Sequence, residues 1–169
     1  MERARGEAWA MRILLIFVAF GFVIGGCATP PVVSGEPALA RFFLESSNRA
    51  GTEMILPQSE TAITVDVKPV VTEFDIVRVD IAEVELGKCL QFQLTPAASR
   101  DLYRLSVANQ GQRLVLMVKG RAMGARRIDG PLADGVLMVF VETPDDQLPA
   151  LQKGLNETSA ELQRVARKL

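Results

Sequence analysis

The feature that most constrains this chain is a twelve-residue apolar run, Ile13-Leu-Leu-Ile-Phe-Val-Ala-Phe-Gly-Phe-Val-Ile24, which ends on Gly25-Gly26-Cys27. The run falls well short of the roughly 20 residues a helix needs to cross hydrocarbon, and Arg12 gives it a positive flank. It therefore reads as an export signal, and residues 1–26 are expected to take no part in the fold. Met11-Arg12 offers a second, more compact start for that signal, a choice that leaves the mature chain unchanged.

Ile24-Gly25-Gly26-Cys27 resembles the lipobox of bacterial lipoproteins. The resemblance implies cleavage before Cys27, a diacylglycerol thioether on its thiol, and acylation of the new amine. Two or three acyl chains of the palmitate kind, at about 0.8 kcal/mol per buried methylene, make an essentially permanent membrane anchor. Ala28 in the next position, where Asp would signal retention, implies the outer rather than the inner membrane. A plain signal peptide with an incidental cysteine is the alternative.

Residues 27–169 suffice for one compact domain with a real core. The 19 Lys and Arg lose Arg3, Arg5 and Arg12, and the 20 acids lose Glu2 and Glu7, which leaves a mature charge of −2. A nucleic-acid partner is not expected at that balance. The chain has no histidine, so the commonest general base and metal ligand is missing, and no cofactor or metal is expected. With Cys27 lipidated, Cys89 has no partner for an intramolecular disulfide. It reads as a buried, inert thiol, with an intermolecular disulfide as the rival.

Thr29-Pro-Pro31 and Ser34-Gly35 make residues 27–36 a short flexible tether. From Pro37 to Ser47, Leu39, Phe42 and Phe43 fall at helical spacing, and a helix is predicted, stopped by Asn48 and Gly51. Strands follow at Met54–Leu56, at Ala62–Val67 with Ile63, Val65 and Val67 inward, at Asp75–Leu86, and at Cys89–Leu94. In the last of these, Leu90, Phe92 and Leu94 face one way and Cys89 the other, more polar way. Thr95-Pro96 opens a helix, with Thr capping and Pro in the first turn, that bears Leu102, Leu105 and Val107 and ends at Asn109-Gln-Gly111. Two more strands, Leu114–Lys119 and Val136–Glu142, flank a connector from Gly120 to Gly135 too rich in turn residues for one regular element. The segment 146–169 is an amphipathic helix with Leu148, Leu151, Leu155, Leu162 and Val165 on one stripe. That stripe fits packing on the domain or, less simply, self-association. The fold class is α+β, an antiparallel sheet with helices packed on it and a C-terminal amphipathic helix, all in one domain over 37–169.

The run Leu90-Gln-Phe-Gln-Leu-Thr-Pro-Ala-Ala-Ser-Arg-Asp-Leu-Tyr-Arg-Leu-Ser106, followed by Asn109-Gln-Gly-Gln-Arg-Leu-Val-Leu-Met-Val-Lys-Gly120 and by Pro131-Leu-Ala-Asp-Gly135, resembles the head subdomain of the first periplasmic domain of the SecD/SecF family. The resemblance spans Ile63 to Val141 and rests on the order and spacing of the motifs. It implies a module that faces the periplasm and contacts exported chains. Lys119 stands where the family has an acid, Ala125-Arg126-Arg127 replaces an alanine-proline step, and Phe140-Val-Glu142 replaces a closing glycine. No membrane-spanning run follows, so the family's proton-driven motor is not carried over.

The acid pairs Asp145-Asp146 and Glu83/Glu85 read as helix-start complements and solvated strand residues rather than as catalytic groups. Lys119, Arg121, Arg126 and Arg127 load the glycine-rich connector with cations, which suits an anionic partner or a solvated loop. The expectation is a non-enzymatic, lipid-anchored envelope protein that binds another envelope protein and is linked to protein export or envelope assembly. Small-ligand or peptidoglycan binding, and self-association, are the alternatives.

Overall fold

A computed structural model describes residues 37–47 and 51–166. Cys27, the signal segment 1–26 and the tether 27–36 lie outside the described residues. Among the described residues, two antiparallel sheets and two helices make an α+β fold, as the sequence predicts.

The first sheet has the order β2-β3-β1-β6-β7, with β1 Ala40–Glu45, β2 Thr52–Ile55, β3 Ala62–Val71, β6 Arg113–Val118 and β7 Arg121–Arg127. The second has the order β4-β5-β8, with β4 Ile76–Val84, β5 Gly87–Leu94 and β8 Val136–Val139. Helix α1, Pro96–Ala108, links β5 to β6, and helix α2, Leu148–Ala166, follows a 3-10 turn at Asp145–Gln147.

The predicted helix over Pro37–Ser47 is a strand. β1 lies at the centre of its sheet, between β3 and β6, so both its edges are paired. Ala40, Phe42 and Leu44 enter the main core while Phe43 enters a second cluster behind the sheet. A strand buried on both faces reads as a continuous apolar run, and such a run carries no period that separates strand from helix.

β3 departs from expectation at Val67, which is 73% exposed while Ile63 and Val65 are buried. Its pairing with β1 is interrupted at two irregularities, between Phe42 and Phe43 and between Phe43 and Glu45, and a slip in register turns side chains to the other face. A similar irregularity between Ile76 and Arg78 leaves Val77 outside while Ile76 and Val79 are buried.

The main core joins the sheets through Phe42 and Phe92, whose rings meet edge to face at 5.0 Å. α1 opens as predicted: Thr95 Oγ1 accepts from the Ala98 N–H at 3.3 Å, with Pro96 in the first turn. Ala98 and Leu102 are buried, but Val107 is exposed, and the inward position one residue earlier is taken by Ser106. Its hydroxyl donates to the Tyr103 carbonyl and accepts from the Leu132 N–H, both at 2.9 Å, which fixes the loop before β8 to the helix.

α2 spends its apolar stripe on the domain, with Leu148 and Leu155 each 1% exposed. Its polar side chains solve a second problem. β4 is an edge strand, and an unpaired edge inside a fold leaves backbone groups without partners. Asn156 acts in place of a neighbouring strand: its Oδ1 accepts from the Val79 N–H at 2.8 Å and its Nδ2 donates to the Val79 carbonyl at 2.7 Å. Gln152 and Gln163 donate to the carbonyls of Val79 and Ile76, both at 3.1 Å.

Replacing Asn156 by Ala leaves the Val79 N–H, on a fully buried residue, with no acceptor. The expected loss is about 2 kcal/mol, read as a lower urea midpoint, while Lys153→Ala on the exposed side of α2 shifts it little. Equal midpoints for the two variants would show that Asn156 does not hold the edge.

Candidate functional site

The connector after β6 is not a loop throughout, because Arg121–Arg127 form β7. Lys119 and Gly120, with φ of 50° and 74°, make the two-residue turn between β6 and β7, the turn type whose twist matches that of the paired strands. Gly124, which reads as a turn signal, has a different reason. A Cβ there would stand 2.2 Å from the Phe140 carbonyl oxygen, so a backbone of the second sheet passes against β7 at that point.

β7 holds one residue more than β6 between Leu116 and Met117, a bulge at Met123. The Met123 carbonyl accepts from the Glu142 N–H, and Gly124 pairs with Val141. The segment after β8 thereby seals part of the outer edge of β7.

Under the curled first sheet lies the second apolar cluster: Phe43, Leu56, Ile63, Val65 and Val115, with Met54, Met117, Ala122 and Ala125 against it. It opens to solvent as two contiguous cavities that share Met117 and Gly120. One, of about 330 Å³, lies between the start of β1 and the β6–β7 turn, over Leu39 and Phe43. The other, of about 560 Å³, lies between the edge strand β2 and β7, lined by Met54, Ile55, Met123 and the segment from Glu142 to Pro144. Together they form an open trough. Three of the six methionines line it, and their unbranched, polarisable side chains adapt to varied occupants.

Glu142 sets one wall. Its carboxylate accepts from the N–H groups of Gln58 and Ser59 at 2.8 and 3.0 Å and from the Ser59 hydroxyl at 2.6 Å. This latches the β2–β3 turn to the strand-exit segment. Partial burial pushes the Glu142 carboxyl up, but the bonds from Ser59 and Gln58 together outweigh it and hold it below the usual 4.5. Two other carboxyls lie low. Hydrogen bonding to Arg113 holds Glu45 down against partial burial, with contacts of 2.6 and 3.0 Å, and hydrogen bonding to Arg41 does the same for Glu73, at 2.6 and 2.7 Å.

The candidate cations do not gather in one place. Arg121 is exposed and lines the trough, with Lys119 beside it at the turn. Arg126 and Arg127 lie at the other end of β7, roughly 16 Å away at 3.3 Å per residue. Arg126 is half-buried and donates to the Met138 carbonyl at 3.3 Å; Arg127 is exposed, 3.6 Å from Asp129. Cys89, placed by alternation on the more polar face, is 1% exposed. Its burial pushes the thiol up, with the nearby Arg126 pulling weakly the other way, so the reactive thiolate is disfavoured. Asp145 stands 3.8 Å from Lys88 before α2. The trough itself had no sequence signal, since its methionines sit on three different strands. Met54 and Met117 fall in predicted strands, but Met123 falls in the connector read as turns.

Among solved structures the fold is similar to that of SecDF. One match is to SecDF in a super-membrane-facing form, with a TM-score of 0.58, 16% identity, and 72% of this chain and 19% of that chain covered. Another is to SecDF described as a membrane component that enhances protein export, with a TM-score of 0.57, 16% identity, and 72% and 63% covered. This chain thus spans less than two thirds of either, and at such identity the likeness establishes a shared fold, in keeping with the resemblance over Ile63–Val141. No protein-family model and no curated protein matches the sequence. No helix among the described residues is long and apolar enough to cross a membrane.

Because Glu142, Glu45 and Glu73 titrate below their unfolded value, the unfolded chain takes up protons first as pH falls. Their stabilisation is full above about pH 4.5 and is lost as pH drops through the lower folded values. Glu142→Gln is expected to speed amide exchange at Gln58 and Ser59 at neutral pH and to reduce the acid sensitivity of those two amides. Unchanged exchange there would refute the latch.

Proposed function

We propose that this chain is a lipid-anchored protein of the bacterial envelope, attached through Cys27, that binds extended segments of other envelope or exported proteins in the trough. The observation that carries the reading is the pairing of an adaptable, methionine-lined apolar trough with the edge of β2 that no described residue covers. An extended peptide gains backbone hydrogen bonds from such an edge and side-chain burial from the trough beside it. The shared fold with SecDF, a component that enhances protein export, supports a place in export or envelope assembly. The lipobox supports attachment to the membrane, with the outer membrane favoured by Ala28. The reading is of binding rather than catalysis: among the charged groups that line the trough, Glu142 is engaged with the β2–β3 turn and Arg41 with Glu73, while Lys119 and Arg121 are left to meet a partner.

An open trough suits a strand better than a small ligand, which needs enclosure and converging polar groups. Self-association through α2 is disfavoured because Leu148 and Leu155 are already buried.

A photoreactive amino acid placed at Met54 or Met123 in cells should crosslink to a defined set of envelope or exported proteins. The same group at Leu86, on the β4–β5 hairpin tip, should capture few of them. Met123→Glu should reduce capture from position 54 several-fold without lowering the melting temperature by more than a few degrees. Identical captures from positions 54 and 86 would overturn the trough as the binding site.

A further inference from the structure

One end of the fold gathers segments far apart in sequence. The Ala38 N–H donates to Thr158 Oγ1 on α2 at 3.0 Å, and the Lys119 N–H donates to the Leu39 carbonyl at 3.2 Å. Arg41 pairs with Glu73, next to Phe74, and Gln163 near the end of α2 donates to the Ile76 carbonyl. The start of β1, the β6–β7 turn, the β3–β4 turn and the last turns of α2 therefore lie together. The β4–β5 tip is at the opposite end, since Val84 stands eight residues along β4 from Ile76, about 26 Å at 3.3 Å per residue.

The surface at the first end is apolar and cationic. Phe74 is 57% exposed. Its turn is braced by Asp75, whose carboxylate accepts from the Thr72 N–H at 2.8 Å and the Thr72 hydroxyl at 2.7 Å. Val165 is also exposed. The acids Glu73 and Glu161 are paired with Arg41 and Arg164, whereas Lys119 and Arg121 are exposed and have no ion-pair partner among the described residues. An exposed aromatic ring at the same end of the fold as these two cations, which outnumber the Asp75 carboxylate next to the ring, suits contact with an anionic bilayer surface. The ring enters the headgroup region and the cations meet lipid phosphates.

The covalent path points the same way. Pro37, where the described chain begins, is ten residues from Cys27. Ten residues reach at most about 35 Å, so a lipid on Cys27 keeps this end within that distance of the bilayer and raises the local concentration at which weak contacts act.

We propose that the end bearing Phe74, Lys119 and Arg121 lies on an anionic phospholipid surface, with Phe74 in the interface. This rests on the lipid-anchor reading above. Lys119 and Gly120 also line the trough, so its mouth opens at the level of the headgroups.

The test uses the full chain, produced in a bacterial host with Trp9→Phe so that an introduced tryptophan is the only one. Phe74→Trp and Leu86→Trp variants are reconstituted into phosphatidylethanolamine–phosphatidylglycerol vesicles containing brominated lipid, and acylation of Cys27 is read by mass spectrometry. The result expected is acylated Cys27, with tryptophan at position 74 blue-shifted and quenched at least threefold more than at position 86. Adding Lys119→Glu and Arg121→Glu should remove most of that difference, while circular dichroism stays the same. Equal quenching at the two positions with Cys27 acylated overturns the end-on contact alone, and so does a difference that survives the charge reversals. An unacylated Cys27 overturns the anchor reading, and this inference with it.

Discussion

The structure depends on the place where β7 and the segment leaving β8 come into backbone contact. At Gly124 the two sheets are so close that a methyl group would overlap the Phe140 carbonyl. The bulge at Met123 sits directly before this point and turns a carbonyl outward to the Glu142 N–H. Had β7 continued in regular pairing, its side chains would keep strict alternation and its outer edge would have no reason to meet the second sheet there. The junction therefore curls the first sheet, leaves a cavity beneath it, and delivers Glu142 to the β2–β3 turn. Floor, rim and wall of the trough follow from one crowded glycine and one extra residue.

Both sheets face the same difficulty, a row of backbone groups at an edge, and they meet it differently. On β4 the side-chain amides of α2 take the positions of a missing strand, with Asn156 matching both the donor and the acceptor of Val79. On β7 the strand-exit segment does so with its own backbone. β2 receives no such cover along Thr52–Ile55 from the described residues, and half of its residues carry polar side chains. An edge left open beside an apolar cavity invites strand addition. The contrast with the sealed edge of β4 is what makes β2 the place to expect a partner.

What the sequence disclosed and what it hid follow from the same physics. Helix α1 was legible to the residue because Thr95 and Pro96 act locally, and α2 because nineteen residues of 3.6-residue periodicity leave little room for another reading. β1 was not legible, since a central strand buried on both faces loses the alternation that marks a strand. Cys89 and Val67 misled for a related reason. Alternation assigns faces on the premise that one face of a sheet is wet along its length, yet Cys89 is buried on a face where Gln93 is exposed, and Val67 lies beyond a break in register. The glycines of the connector misled most. Gly120 and Gly135 do serve turns, with positive φ, but Gly124 serves close approach, and a sequence states only that a side chain is absent.

The separation of the connector's cations changes what they can do. As a cluster they would have defined one anionic site; strung along β7, Arg126 donates to the Met138 carbonyl and Arg127 lies near Asp129, while the pair at the turn has no ion-pair partner among the described residues. That pair stands where β1 begins and where the trough opens. Lys119 and Arg121 at this mouth can meet acids that flank a segment's apolar residues, whereas Glu53 and Glu142 lie farther along the same trough. If the same end faces an anionic bilayer, membrane and segment draw on the same two side chains, so the trough's affinity for acidic segments should weaken as the surface beneath it becomes more anionic. Competition of that kind couples binding to lipid composition without any change of shape.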